Sequence, residues 1–323
     1  MRNTDVKKKK FKLFDLNRDG KGVYEEENRK PNLKFFFILL WRKFTQLLQL
    51  NLLMLFQVLP ILGIIFINIF GAKTFNASNA LYAPMYGISK IVDSPALLSK
   101  LDLIGQQVEA PLITPWMMIG MAVLALFLFI TYGWQNVGAA YVLRDLFRGE
   151  PVFVFSDYFY GIKKNFKQGL IVGMIDFICS VVLVIDIYFF MTSSSSLSTD
   201  IMLGIMVAVA IIYIFMRFYV YQLLITFDMK ITKIIKNSLI FSILGIFRNL
   251  IGLVGIALLI GLHILLVLWL LPMGISIPLI LPLVYITSVI GFITVYAAYP
   301  VIEKYLITPY ENEKAEDVAP DDR

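Results

Sequence analysis

The sequence predicts an all-α membrane protein, a polytopic bundle of about six transmembrane helices with both termini in the cytoplasm. Three observations predict it. Long apolar runs recur from Leu47 almost to the C-terminus, and a helix rising about 1.5 Å per residue crosses the hydrocarbon with roughly 20 such residues. Hydrophobic residues make up 59% of the 323 residues and charged ones only 16%, with a mean hydropathy of +0.76, outside the range of an ordinary soluble domain. Finally, the 29 lysines and arginines are distributed unevenly about those runs.

The runs place six spans near Leu47 to Phe70, Trp116 to Ala140, Leu170 to Phe190, Ile201 to Phe227, Leu250 to Leu271 and Ile275 to Ala298. The last two form one apolar stretch about twice the length of a span, punctuated by Pro272, Gly274 and Pro278, so they read as a tight helical hairpin. Pro278 and Pro282 are expected to kink the first half of the sixth span. With the N-terminus in the cytoplasm, 25 lysines and arginines fall inside and three (Lys73, Lys90 and Lys100) outside, while Arg217 lies within a span. This is the positive-inside asymmetry. The net charge of +6 then reflects topology and attraction to anionic headgroups. It does not indicate nucleic acid, because the basic residues flank spans and do not gather on one soluble face. The localisation expected is the plasma membrane. The first 34 residues are too polar, and the first apolar run too long and too deep in the chain, for a cleavable signal peptide.

Three domains follow: a basic cytoplasmic tail over residues 1–34, expected to be disordered, a transmembrane domain over 35–306, and an acidic tail over 307–323. Within the second, Phe35 to Phe44 mixes aromatic, aliphatic and basic residues and suits a helix lying at headgroup level before span one. On the outer side, Leu97, Leu98, Leu101 and Ile104 suggest a short amphipathic helix between Gly71 and Pro115. Two cytoplasmic connectors, Tyr141 to Gln168 and Asp228 to Asn249, can be overlaid so that Lys164-Asn165 matches Lys236-Asn237, which suggests a duplicated helix pair.

Candidate sites are few. Asp15, Asn17, Asp19, Gly20 and Glu26 have the spacing of a calcium-binding loop, but Gly22 occupies the position of an apolar residue, Pro31 shortens any exit helix and no second loop follows; the stretch is read as tail. Asp176 and Arg217 lie about 9 Å and about 15 Å from the inner ends of their spans. They are therefore expected to pair within the bundle. An ion pair fixing helix register is the plain role for them, and a substrate or proton path the sharper one. His263 stands alone on span five, and with Asn51, Gln57 and Asn136 it is read as a polar contact between helices. The single cysteine, Cys179, excludes an intramolecular disulfide and a cysteine-only metal site. With no phosphate loop, catalytic triad or zinc motif, no enzyme activity, cofactor or metal is expected.

The connectors carry a resemblance. The run from Tyr141 through Arg144, Asp145, Arg148, Gly149, Glu150, Pro151, Ser156 and Asp157, followed by Lys164-Asn165-Phe166-Lys167-Gln168, resembles the hallmark segment of the YesL-like bacterial membrane proteins, a family of unknown function. Leu50-Asn51, Leu59-Pro60, Thr226-Phe227, Lys236-Asn237 and Tyr299 to Tyr305 are similar as well. Where many members carry a Gly-Pro pair near the end of span two, this chain has Gly133-Trp134, so no proline kink is expected there. The resemblance implies a non-enzymatic accessory protein of Gram-positive-type bacteria beside carbohydrate uptake systems. Its partners would be the bilayer and subunits of ABC-type sugar importers, with homo-oligomers also admitted. Arg144, Arg148, Asp157, Lys163, Lys164, Asn165, Lys167, Lys236 and Asn237 are the candidates for partner docking or headgroup binding. The alternative is a self-sufficient small-solute transporter using Asp176 and Arg217 as its intramembrane polar site.

Overall fold

The computed structural model describes residues 32–70, 73–75, 88, 109–111, 114–194 and 196–310. The basic tail up to residue 31, the calcium-like loop, the amphipathic helix expected around Leu97 to Ile104 and the acidic tail from residue 311 lie outside the described residues.

The elements in chain order are α1 (Leu33–Arg42), α2 (Phe44–Phe70), β1 (Lys73–Phe75), β2 (Glu109–Pro111), α3 (Pro115–Arg148), α4 (Val154–Lys164), α5 (Phe166–Thr192), α6 (Leu197–Thr226), α7 (Ile231–Leu244), α8 (Ile246–Leu270), α9 (Ile277–Ile280) and α10 (Pro282–Ile302). Six helices, α2, α3, α5, α6, α8 and α10, are long and apolar enough to cross a bilayer, as the apolar runs predict. The two strands pair antiparallel with Lys73 opposite Pro111, a small addition to the all-helical expectation.

Local chemistry sets the boundaries. Asn32 caps α1, its Oδ1 accepting the Phe35 amide at 2.8 Å, so the helix starts within the residues assigned to the tail. A one-residue break at Lys43 then separates α1 from α2. Thr114 caps α3, and Pro115 occupies the first turn, where its missing N–H is not needed. Gly149, at φ 76°, ends that helix in the left-handed conformation. This corrects the second span: the helix continues eight residues past Ala140, and Tyr141 to Arg148 is helical where a connector was expected. Leucine and arginine in that stretch carry strong helix propensity, and nothing breaks the helix before the glycine. Trp134 stands in an unbroken helix, in keeping with the missing proline.

The sixth span begins later than expected. Leu271–Met273 form a tight turn, Gly274 adopts φ 79°, and α10 opens at Pro282 instead of Ile275. Proline has no amide to give the preceding turn, so the helix is interrupted at Leu281 between the short α9 and α10, in the first half of the span where a kink was expected. The duplicated layout also needs correcting: α5 follows a break at Asn165, but the matching break before α8 falls at Gly245, while Asn237 sits inside α7. The helix–break–span arrangement recurs in a register eight residues away from the sequence overlay.

The last span is the hub, with 61% of its most apolar window buried, against 11–28% in the other five. Pro300 within it leaves the Tyr296 carbonyl without its helical partner, and Arg248 of α8 fills the gap, Nη2 donating to Tyr296 O at 3.2 Å and Nε to Ala297 O at 3.1 Å. Asn51 of α2 clasps the same helix at its other end, its Nδ2 donating to Leu283 O at 2.6 Å and its Oδ1 accepting from Ser288 N at 2.9 Å.

Burial is uneven along the spans. We call the end where α2 begins and α10 finishes the base, and the opposite end the rim. Leu47 and Leu50 of α2, Val137 and Val142 of α3, Val172 of α5, Tyr219 and Leu223 of α6, and Val295 and Ile302 of α10 are buried, and all lie in the base half. In the rim half, Val184 and Ile185 of α5 and Ile205 and Val209 of α6 are exposed. Such a band suits acyl chains, which solvate apolar side chains and leave close packing and polar contacts to hold helices together. The base supplies both. Gly133 of α3 crosses Gly169 and Gly173 of α5 so closely that a Cβ on Gly133 would lie 2.0 Å from Gly169 O.

Candidate functional site

A polar cluster stands on the spans just above the packed base. Asp176 of α5 is 6% exposed and forms an ion pair with Arg217 of α6, Nε to Oδ1 at 2.9 Å. Tyr221 donates to Asp176 Oδ2 at 2.7 Å, and the Tyr213 hydroxyl also donates to this carboxylate. Tyr132 of α3 accepts from Arg217 Nη2 at 2.6 Å. Three spans are thereby joined through one carboxylate and one guanidinium. A buried charge persists in a low-dielectric interior only when it is paired and fully hydrogen-bonded, and Asp176 meets that condition.

The helix period explains the assembly. Tyr213, Arg217 and Tyr221 are spaced by four, which stacks them on one face of α6 opposite Asp176. That spacing was readable in the sequence. Sequence reasoning found the two charges and missed the three tyrosines, which in a chain with 16 tyrosines carry no individual signal.

Arg217 reaches into a central cavity of about 720 Å³ to which all six spans contribute, among them Met54, Leu128, Phe177, Leu253 and Thr287. Its side chain is 34% exposed, on the cavity side of the pair. The cavity is polar toward the base, where Asn136, Arg217, Tyr221 and Gln222 line it, and apolar toward the rim, where it opens to the outside past the exposed side chains of Ile61, Val184 and Ile185. Arg217 is the one charged residue among those that line it. His263 lies apart on α8, its Nδ1 3.2 Å from the Tyr285 hydroxyl of α10, an interhelical contact.

The connector candidates divide into two groups. Arg144 does not face outward: it is 8% exposed, its Nε donates to Asp145 Oδ1 at 2.8 Å and its Nη1 to Ile225 O at 3.1 Å, tying α3 to the end of α6. This corrects the expectation that it docks a partner; a guanidinium needs several acceptors when buried, and a helix C-terminus offers free carbonyls. Asp157 accepts from the Phe153 amide at 2.7 Å and so secures the start of α4. Asn165 donates to Gly161 O at 3.1 Å, and Asn237 donates to Met229 Sδ at 3.6 Å. Lys163, Lys164, Lys167 and Lys236 are exposed, and Arg148 forms a half-exposed pair with Glu150 at 3.1 Å.

Helix α4 is amphipathic and lies on the base through Val154, Tyr158 and Gly161. Tyr158 packs under Gly138, where an added Cβ would come within 2.8 Å of its ring, and burial pushes the Tyr158 hydroxyl pKa up, so it stays neutral. The opposite face presents Phe155, Phe159 and Tyr160. Beside it, Lys163, Lys164 and Lys167 border a cleft of about 700 Å³ completed by Leu224 to Asp228.

Residues 113–187 match the model of a family described as "Protein of unknown function, DUF624". Neither the curated proteins nor the solved structures gave a match. The matched stretch carries α4, the glycine crossing, Tyr132 and Asp176, whereas Tyr213, Arg217 and Tyr221 lie beyond it.

Proposed function

From the similarity of residues 113–187 to DUF624, in a chain with six membrane-spanning helices, we propose a non-enzymatic accessory or regulatory component of carbohydrate uptake in the cell membrane. In this reading the base faces the cytoplasm and α4 docks a subunit of an ABC-type sugar importer. The carrying observation is the outer face of α4, where Phe155, Phe159 and Tyr160 stand exposed next to Lys163, Lys164 and Lys167. Exposed aromatic side chains are what protein interfaces use as anchors, and the neighbouring lysines would steer an acidic partner surface onto them. The YesL-like resemblance of the same segment supplies the association with sugar import.

The competing account of the lysines is attraction to anionic headgroups. Reversing all three, K163E/K164E/K167E, separates the two. Docking predicts at least a tenfold loss of co-purified importer subunit with membrane insertion intact. Full retention of the subunit, with weaker binding to anionic vesicles, contradicts it.

The central cavity favours a second reading, a self-sufficient small-solute transporter whose path passes Arg217 and Asp176. Proteoliposomes containing this chain alone are then expected to show saturable uptake from a panel of neutral sugars, and no uptake across the panel counts against it.

A further inference from the structure

The base carries a cluster of cations that outnumber the acids beside them. Lys163, Lys164 and Lys167 border the cleft of about 700 Å³, and Asp228 is the one acidic residue among those that line it. Gln168 Nε2 donates to Met229 O at 3.3 Å, which holds the start of α5 against the segment leading into α7, where Lys230 and Lys233 add two further charges. All five lysines are exposed, and none is ion-paired with another described residue. Like charges gathered on one surface repel one another and attract an acidic segment.

The chain itself supplies such a segment at the same end. Residues 311–323 carry Glu311, Glu313, Glu316, Asp317, Asp321 and Asp322 against only Lys314 and Arg323. They follow directly on the base end of α10, which continues as a π-type turn over Glu303–Ile307. In that turn Leu306 and Ile307 pack on the hydrophobic cluster that also holds Leu224, Ile225 and Phe227, three residues of the cleft wall. Thirteen residues reach at most about 45 Å, at roughly 3.5 Å each. A segment tethered to the same cluster meets the cleft at an effective concentration on the order of millimolar, so ion pairs that are weak one by one suffice to seat it.

We propose that the acidic segment 311–323 docks on the cleft bordered by Lys163, Lys164 and Lys167, its carboxylates pairing with these lysines and with Lys230 and Lys233. Seated there, it covers the cations that border α4 and competes for them with any acidic partner. The contact does not rest on the importer reading. Its test contains no importer, so the loss of either one leaves the other standing.

The test uses the full-length protein, one copy per nanodisc, in neutral phosphatidylcholine. A carbodiimide, which joins a carboxylate directly to an amine in contact with it, is expected to link residues 311–323 to Lys163, Lys164 or Lys167. Trypsin cleavage after Lys314 is expected to be at least fivefold faster in K163E/K164E/K167E than in the wild type. The two rates are expected to converge in about 1 M salt, where the screening length falls to about 3 Å. Wild-type discs that contain anionic phosphatidylglycerol are expected to keep the protection. No link to any of the three lysines, equal cleavage rates at low salt, or rates that stay apart at high salt overturns the proposal. So does a wild-type rate in phosphatidylglycerol as fast as that of the variant, which would assign the lysines to headgroups. Should the variant fail to fold, the wild-type links, and their loss in high salt, decide alone.

Discussion

Arg217→Ala is expected to lower accumulation of the protein in the membrane sharply, and Asp176→Ala in the same chain is expected to restore part of it. Removing the guanidinium leaves the Asp176 carboxylate buried with only tyrosine donors, and breaking a buried pair from one side costs about 3–5 kcal/mol. That amounts to roughly two to four orders of magnitude in the folded-to-unfolded ratio. Removing both charges eliminates the uncompensated ion and leaves a smaller loss, from the hydroxyls of Tyr132, Tyr213 and Tyr221 that lose their partners. Membrane levels of the two single variants and the double, with unfolding midpoints in mild detergent, check this. Strictly additive losses contradict direct coupling between the two residues.

The second large effect is expected at the glycine crossing. In Gly133→Ala the new Cβ would sit 2.0 Å from Gly169 O and 2.7 Å from Gly173 Cα, and both neighbours are backbone, so the spans themselves must separate. Overpacking costs about 1–3 kcal/mol where side chains yield. With backbone on both sides the effect is expected at or above the top of that range, because close approach is what holds membrane helices together. Gly204→Ala on α6 is the control, since nothing lies within 4 Å of its added Cβ. A fall of several degrees in the unfolding midpoint for Gly133→Ala, with Gly204→Ala unchanged, is the expected pair of results. Equal midpoints contradict it.

The two variants also show what could be read from the chain beforehand. Six spans were legible because hydropathy over some 20 residues is a strong signal and a bilayer admits few alternatives. The separate helix α1 was legible from the aromatic and basic mixture of Phe35 to Phe44. The end of α3 was misplaced because apolarity falls before the helix stops, and only Gly149 marks the true terminus. The interruption near Pro282 was legible from the prolines, but the helical start was placed too early at Ile275, because apolarity runs unbroken through the turn that Gly274 makes.

The candidate site was half legible. Charges within spans are conspicuous because they are rare, so Asp176 and Arg217 stood out. Gln222 did not, since which side of a span faces the cavity is a property of packing alone. Arg144 was misread for the related reason that a basic residue near a span end is ordinarily solvated; here the end of α6 lies alongside and takes it at Ile225. The crossing of Gly133 with Gly173 required the relative placement of two helices, which local sequence does not encode.

The most direct test of the docking role is to solubilise the tagged protein from its native membranes in mild detergent and identify what co-purifies by mass spectrometry, beside the K163E/K164E/K167E variant. The proposed function predicts an importer's permease or ATPase subunit with the wild-type chain and its loss from the variant. Recovery of the chain alone, as a monomer or homo-oligomer, would contradict it.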